Sequence, residues 1–169
     1  TDTNIENIDP LQPVSDWEMV WNDEFDGTAI NSQNWTHEVN CSGGGNQEQQ
    51  CYTNSAENSY VQDGILSIVA LPAEEGADLP YTSARMTTQY KGDFKYGRIE
   101  MRAKAPSGQG SHPAFWMMPT NDEYGEWPHS GELDVFESVN LGVAREDGTA
   151  ETHVYGTLHY GKSWPDNSR

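Results

Sequence analysis

Hydrophobic and polar residues alternate along much of the chain, which is the pattern of β-strands whose two faces meet different surroundings. The clearest case is residues 98–104, where apolar and charged side chains alternate without exception. A second run, residues 64–71, is almost wholly apolar and stops at Pro72, which is typical of a buried strand. The same reasoning predicts strands at residues 114–118, 132–139 and 153–160.

No segment shows a sustained helical period, and clusters of Gly, Pro, Asn and Asp separate the predicted strands. Short strands at regular spacing predict an all-β fold, an antiparallel sandwich or barrel. Residues 1–16 are polar, contain Pro10 and Pro13, and are interpreted as an N-terminal arm. The length of residues 17–169 fits one domain.

The composition of the chain excludes several classes of function. The 169 residues carry 27 acidic and 9 basic side chains, a formal net charge of -18. So acidic a chain is unsuited to nucleic acid or to an anionic membrane surface, and it has no apolar run long enough to span a bilayer. Six Trp and eight Tyr argue against disorder and for aromatic-lined concave surfaces.

The chain has two cysteines, Cys41 and Cys51, separated by a Gly-rich stretch. A zinc site needs about four ligands at characteristic spacings, and no CxxC pair is present. A disulfide would close this short loop and would imply an oxidising compartment outside the cytoplasm. Two free thiols remain the alternative.

The segment most suggestive of chemistry is Glu132-Leu-Asp-Val-Phe-Glu137, which places three carboxylates in an otherwise apolar strand. Glu132 and Asp134 share a face, and a β-bulge at residues 135–136 would return Glu137 to that face. The two Glu carboxyl groups would then lie about 5–7 Å apart, which favours retaining over inverting glycoside hydrolysis. A solvated strand face with some calcium-binding carboxylates is the alternative.

Like charges this close must raise at least one pKa, which is how a general acid keeps its proton beside an ionised nucleophile. Trp116, Trp127 and Trp164 flank the strand in sequence. Flat aromatic faces suit stacking on sugar rings, although each Trp could equally pack in a core.

These residues resemble glycoside hydrolase family 16, whose active-site signature has the form ExDxxE. Further segments agree with the family in order: Val20-Trp-Asn-Asp-Glu-Phe-Asp-Gly27, Gln47-Glu-Gln-Gln-Cys-Tyr-Thr53, Tyr81-Thr-Ser-Ala-Arg85, Tyr96-Gly-Arg-Ile-Glu-Met-Arg-Ala-Lys104, Pro113-Ala-Phe-Trp-Met117 and Gly156-Thr-Leu-His159. The resemblance covers about residues 17–161 and is to the laminarinase-like endo-β-1,3-glucanases of the family.

The resemblance implies a β-jelly-roll of two antiparallel sheets with a concave substrate cleft. It implies a retaining mechanism in which Glu132 is the nucleophile, Asp134 assists it, and Glu137 is the general acid/base. No cofactor takes part in this chemistry.

Residues outside the catalytic strand also receive roles from the resemblance. Those implied to contact the sugar are Asn58, Arg85, Trp116, Trp127 and His159. A buried, hydrogen-bonded histidine and a structural ion pair are the plain alternatives for His159 and Arg85. A structural calcium ion is also implied, held by the Glu24 side chain and the Gly64 carbonyl.

Two features depart from the family pattern. His112 stands where relatives carry an aromatic residue before Pro113. The chain also stops soon after His159, so we expect it to cover only the N-terminal two-thirds or so of the jelly-roll. We further expect a second polypeptide to supply the missing C-terminal strands.

The sequence therefore predicts a secreted or periplasmic endo-β-1,3-glucanase that acts on β-glucan polysaccharides or oligosaccharides, including mixed-linkage β-1,3-1,4-glucans. One alternative is a non-catalytic β-glucan-binding protein, against which the presence of both Glu132 and Glu137 argues. Another is an agarase or carrageenase of the same family. Carrageenan is anionic, and nine basic residues suit it poorly.

Overall fold

The computed structural model describes residues 17–169, so the predicted arm at residues 1–16 lies outside the described residues. The described chain divides into two compact units between Gly92 and Asp93. Apart from one 3-10 turn, the regular secondary structure of both units consists of short β-strands, which confirms the predicted all-β class. Among the described residues, no helix is long and apolar enough to cross a membrane.

The described part of the first unit contains seven strands and one 3-10 turn. The strands are β1 (Thr36–Glu38), β2 (Gln50–Tyr52), β3 (Ser59–Gln62), β4 (Ile65–Ile68), β5 (Leu71–Pro72), β6 (Tyr81–Ser83) and β7 (Arg85–Thr87), and the turn spans Gly43–Gly45. They form three small sheets, β1-β7, β2-β6-β5 and β3-β4. The pair β2-β6 is parallel, whereas the prediction was of antiparallel pairs throughout.

Strands β3 and β4 form a hairpin around Asp63 and Gly64. Both turn residues have positive φ, 53° and 74°, which suits a tight two-residue turn whose twist matches that of the strands. The apolar run that follows is divided between β4 and β5. The predicted strand is present at Ile65–Ile68, whereas its predicted burial is wrong, because Ile65 and Ile68 are 61% and 52% exposed.

The second unit contains one sheet of four antiparallel strands in the order β11-β10-β9-β8. Its strands are β8 (Ala114–Met117), β9 (Glu132–Glu137), β10 (Tyr155–Gly161) and β11 (Asn167–Ser168). The predicted strands at 114–118, 132–139 and 153–160 are therefore present with ends displaced by one or two residues. The carboxylate strand β9 lies between β8 and β10, so both its neighbours can support the site.

The predicted strand at residues 98–104 is wrong. The segment joins no sheet among the described residues, despite its strict alternation. Alternation indicates that the two faces of a segment meet different surroundings. A strand forms only when its backbone N–H and C=O groups pair with those of a neighbouring strand. The local pattern holds no information about that neighbour.

Candidate active site

Strand β9 contains a bulge that gathers its three carboxylates on one face. On β8, Trp116 is paired with Asp134 and Phe115 with Phe136, so Val135 is the extra residue. The pairing with β10 shows a shift in the same region of β9. The bulge lies where the sequence predicted it. The carboxylates that share the face are Glu132, Asp134 and Glu137.

Glu132 lies beside an indole donor. The Nε1–H of Trp127 donates a hydrogen bond to Oε2 of Glu132. Burial raises the pKa of Glu132, the Trp127 hydrogen bond opposes that rise, and the negative charge of Asp134 adds to it. The sequence analysis linked a raised pKa to the general acid, whereas here the raised pKa is that of Glu132, the residue implied to be the nucleophile.

Asp134 is the most enclosed of the three carboxylates, with 5% of its surface exposed. The Nε2 atom of His159 lies 3.2 Å from its Oδ2 atom. On β10, His159 is paired with Glu132 and Thr157 with Asp134, so both side chains belong to the carboxylate face. His159 thus bridges the site: its ring contacts Asp134, and its electrostatic interaction with Glu132 is among the influences that lower the pKa of Glu132.

Aromatic rings adjoin the carboxylates. The ring centres of Trp127 and His159 are 5.8 Å apart. Trp116 sits opposite Asp134 across the β8–β9 ladder. The structure therefore brings together all the predicted site residues of the second unit, whereas Trp164 is an exposed side chain near the end of the sheet.

Glu137 lines a cavity of about 620 Å³. Tyr155, Thr157 and His159 of β10 form one wall, and Glu151 contributes from the preceding loop. The Nε2 atom of His112 lies 2.6 Å from Oε1 of Glu137. Sequence reasoning noticed His112 only as a departure from a pattern and gave it no role.

The loop before β10 is held by a charged cluster. Arg145 donates from Nε and Nη2 to Glu151 Oε2, at 3.0 and 2.6 Å. The backbone N–H of His153 donates to the other oxygen of Glu151 at 2.7 Å. The His153 backbone bond, followed by the Arg145 side chain, lowers the pKa of Glu151 to about 2. No sequence pattern indicated this cluster, because its members are separated by polar loop residues.

Asn58 and Arg85 belong to the first unit, and both are engaged inside it. Asn58 is 2% exposed; its Nδ2 donates to the Val69 carbonyl and to Thr82, and its Oδ1 accepts from Thr53. Through these hydrogen bonds, Asn58 links separate segments of the first unit. The bonds offer no support for the implied sugar contact.

Arg85 is held by two partners in the same unit. Its Nε lies 3.0 Å from Glu38 Oε1, and its guanidinium lies 5.8 Å from the ring centre of Tyr52. The ion pair that the sequence left open as an alternative is therefore present. A sugar contact by Arg85 stays a prediction.

The predicted disulfide between Cys41 and Cys51 is present. Next to it, the Tyr52 hydroxyl donates to Glu48 Oε2 at 2.5 Å. Burial, followed by the Glu48 contact, raises the pKa of Tyr52 to about 12. The bridge and this polar pair fix the loop that leads into β2.

The implied calcium ion would be bound by the Glu24 side chain and the Gly64 carbonyl, which are two oxygen ligands of the roughly six to eight that calcium takes. The described residues contain no cluster of three or more His, Cys, Asp or Glu side chains placed to hold a metal ion. A structural calcium ion stays a prediction, and no role in catalysis is assigned to one.

Comparison with known proteins agrees with this geometry. A glucan endo-1,3-beta-glucosidase of Cryptopygus antarcticus is 44% identical over 156 residues, which cover 89% of this chain and 53% of that protein. A beta-1,3-glucan-binding protein of Penaeus monodon is 35% identical, with 88% of this chain and 50% of that protein covered. This chain thus spans about half the length of both relatives.

Solved structures and a family model give the same answer. The laminarinase catalytic domain of Thermotoga maritima superimposes with a TM-score of 0.73 at 39% identity, covering 86% of this chain and 58% of that chain. The model of glycosyl hydrolases family 16 matches residues 45–167, well over half of the chain. The match includes the bulged carboxylate strand. The fold is accordingly that of the family's jelly-roll enzymes, and the chain belongs to glycosyl hydrolases family 16.

Proposed function

We propose that this chain carries the catalytic strand of a retaining endo-β-1,3-glucanase. The observation that carries the proposal is the bulged strand β9, which presents Glu132, Asp134 and Glu137 on one face. The aromatic rings of Trp116 and Trp127 adjoin it. Such a set supplies a nucleophile, a proton carrier and a flat surface for a sugar ring.

The reaction proceeds in two displacements. In the first, a Glu132 oxygen forms a bond to the anomeric carbon while the bond to the leaving sugar oxygen breaks, and Glu137 gives its proton to that oxygen. In the second, water attacks the anomeric carbon and gives a proton to Glu137, while the bond to Glu132 breaks. The anomeric configuration is retained, and no cofactor is needed.

Asp134 assists the nucleophile in this scheme. It is nearly buried and lies between Glu132 and the His159 ring. Before the bond between Glu132 and the sugar forms, the negative charge of Asp134 favours a proton shared between the two carboxyl groups. The His159 ring beside Asp134 reduces the electrostatic cost of that buried negative charge. Glu132 can then become ionised as substrate arrives, although burial raises its pKa.

The substrate class rests on the relatives, which include a glucan endo-1,3-beta-glucosidase and a beta-1,3-glucan-binding protein. β-1,3-Glucans such as laminarin are the expected substrates, and mixed-linkage β-1,3-1,4-glucans are a second set. Non-catalytic glucan binding is the second candidate function, favoured by the Penaeus monodon relative. The presence of both glutamates on one face argues for catalysis.

A covering polypeptide is part of the proposal. Leu133 of β9 and Leu158 of β10 are paired across the ladder, on the side away from the carboxylates, and both are exposed. Ile65 and Ile68 expose apolar surface in the first unit. Apolar strand faces are normally buried against a second layer, so further strands of the same or another polypeptide are expected to cover them. The disulfide favours a secreted or periplasmic protein.

The test is a reducing-sugar assay on laminarin, lichenan, agarose and κ-carrageenan, with NMR of the anomeric protons of early products. We expect cleavage of laminarin with β products appearing first. Glu132→Ser is expected to abolish turnover and to keep oligosaccharide binding. Binding without turnover in the wild-type protein would favour the glucan-binding alternative, and turnover by Glu132→Ser would refute the assigned roles.

A further inference from the structure

The contact between His112 and Glu137 is not explained by the proposed mechanism. The Nε2 atom of His112 lies 2.6 Å from Oε1 of Glu137, within hydrogen-bond distance. The two side chains are 32% and 28% exposed, so the pair is partly sheltered from water. A hydrogen bond in such surroundings orients a carboxyl group more firmly than one on an open surface.

The backbone fixes the position of His112. Its neighbours on both sides are bonded to the segment that follows β9: the Asn140 N–H donates to the Ser111 carbonyl at 2.9 Å, and the Ser138 N–H donates to the Pro113 carbonyl at 3.2 Å. Pro113 also restricts the residue before it to extended backbone conformations. His112 is therefore held beside the end of β9 without help from its own side chain.

His112 supports Glu137 from outside the cavity. Glu137 lines the 620 Å³ cavity, and among the described residues His112 is not part of that lining. A histidine placed this way contacts the carboxyl group from outside the cavity lining. We propose that His112 is a positioning residue for the acid/base Glu137, an inference that rests on the proposed function.

The imidazole suits both halves of the catalytic cycle. When Glu137 is ionised, the Nε2–H tautomer of His112 donates to its Oε1 atom. When Glu137 carries the transferable proton on its other oxygen, Oε1 is still an acceptor, so the same Nε2–H tautomer of His112 keeps its hydrogen bond and limits carboxyl rotation. The second carboxyl oxygen is thereby left for proton exchange with the sugar oxygen and with water.

The test uses two variants and two substrates. His112→Phe keeps a ring of similar size and removes the hydrogen bond, whereas His112→Gln restores an amide donor and acceptor near the same place. One substrate is laminarin, whose leaving sugar needs a proton. The other is a dinitrophenyl β-laminaribioside, whose leaving group departs without one.

For His112→Phe, we expect kcat/KM to fall about tenfold or more on laminarin and to stay within about twofold on the dinitrophenyl substrate. His112→Gln should recover most of the laminarin activity. His129→Phe, in an exposed loop of the same unit, is the matched control and should leave both activities near wild type. Equal losses on the two substrates, or no loss on either, would overturn the positioning role.

A second measurement separates this inference from the proposed function. In ¹H–¹⁵N spectra of the histidine rings, Glu137→Gln should shift the Nε2 resonance of His112, whereas Glu151→Gln should shift His153 instead. A wild-type protein that cleaves neither substrate would refute the enzyme proposal. An unchanged His112 resonance in Glu137→Gln would refute the His112 contact itself, whatever the activity.

Discussion

The hydrogen bond from Trp127 to Glu132 gives the most specific prediction about the nucleophile. Trp127→Phe keeps an aromatic ring near the carboxylates and removes the Nε1–H that donates to Oε2 of Glu132. That bond opposes the effect of burial, which raises the pKa of Glu132. Without the donor, the pKa of Glu132 should rise further, because the ionised form loses a partner that the protonated form needs less.

The magnitude follows from the exposure of the site. A sheltered hydrogen bond to an ionised group contributes about 1.5–3 kcal/mol. Glu132 is only partly buried, so about 1 kcal/mol is the appropriate figure after solvent screening. At pH values below the pKa of Glu132, which form the acid limb of the activity profile, a loss of about 1 kcal/mol lowers the ionised fraction of Glu132 about fivefold.

The assay is kcat/KM on laminarin as a function of pH. The nucleophile must be ionised to attack, so the acid limb of Trp127→Phe should move to higher pH, with about fivefold lower kcat/KM on that limb and a smaller change on the plateau. Trp164→Phe, an exposed indole of the same unit, is the control and should keep the wild-type profile. An acid limb that stays in place, or that moves to lower pH, would refute the reasoning.

Three further predictions concern stability. Asn58→Ala should lower the free energy of unfolding by about 2–3 kcal/mol, measured with urea, because it leaves three partners of a buried amide unsatisfied; an unchanged midpoint would mean that water replaces the amide. Glu151→Gln should lower Tm above pH 4.5, and the difference from wild type should vanish as the pH falls towards about 2. The reason is that a lowered carboxyl pKa stabilises the fold only while the group is ionised in the native state; exposed Glu146→Gln is the control, and a loss of Tm that is equal at all pH values would contradict the linkage. Replacing Cys41 and Cys51 by Ser should cost about 3 kcal/mol, as expected for a loop closed over a sequence separation of 10, and reduction of the wild-type protein should reproduce the loss.

The sequence determined the class of the fold and the chemistry of the central strand. Alternation and turn residues predicted the bounds of β8, β9 and β10 to within one or two residues. The reason is that successive side chains of a strand point to opposite faces, so a strand with one polar and one apolar face shows an alternating sequence. The bulge at residues 135–136 was also predictable, since without it Glu137 would face away from Glu132. The Cys41–Cys51 bridge was one of two possibilities that the sequence left open, beside two free thiols, and the bridge is the one that is present.

The tertiary structure decided which residues touch. The pairing that brings His159 beside Asp134 and His112 beside Glu137 joins segments about 25 residues apart, and a local pattern carries no record of such partners. For the same reason, residues 98–104 alternate as a strand does but have no ladder among the described residues. Burial is likewise a property of the assembled layers, so Ile65 and Ile68, apolar in sequence, are exposed here while the polar Asn58 is enclosed.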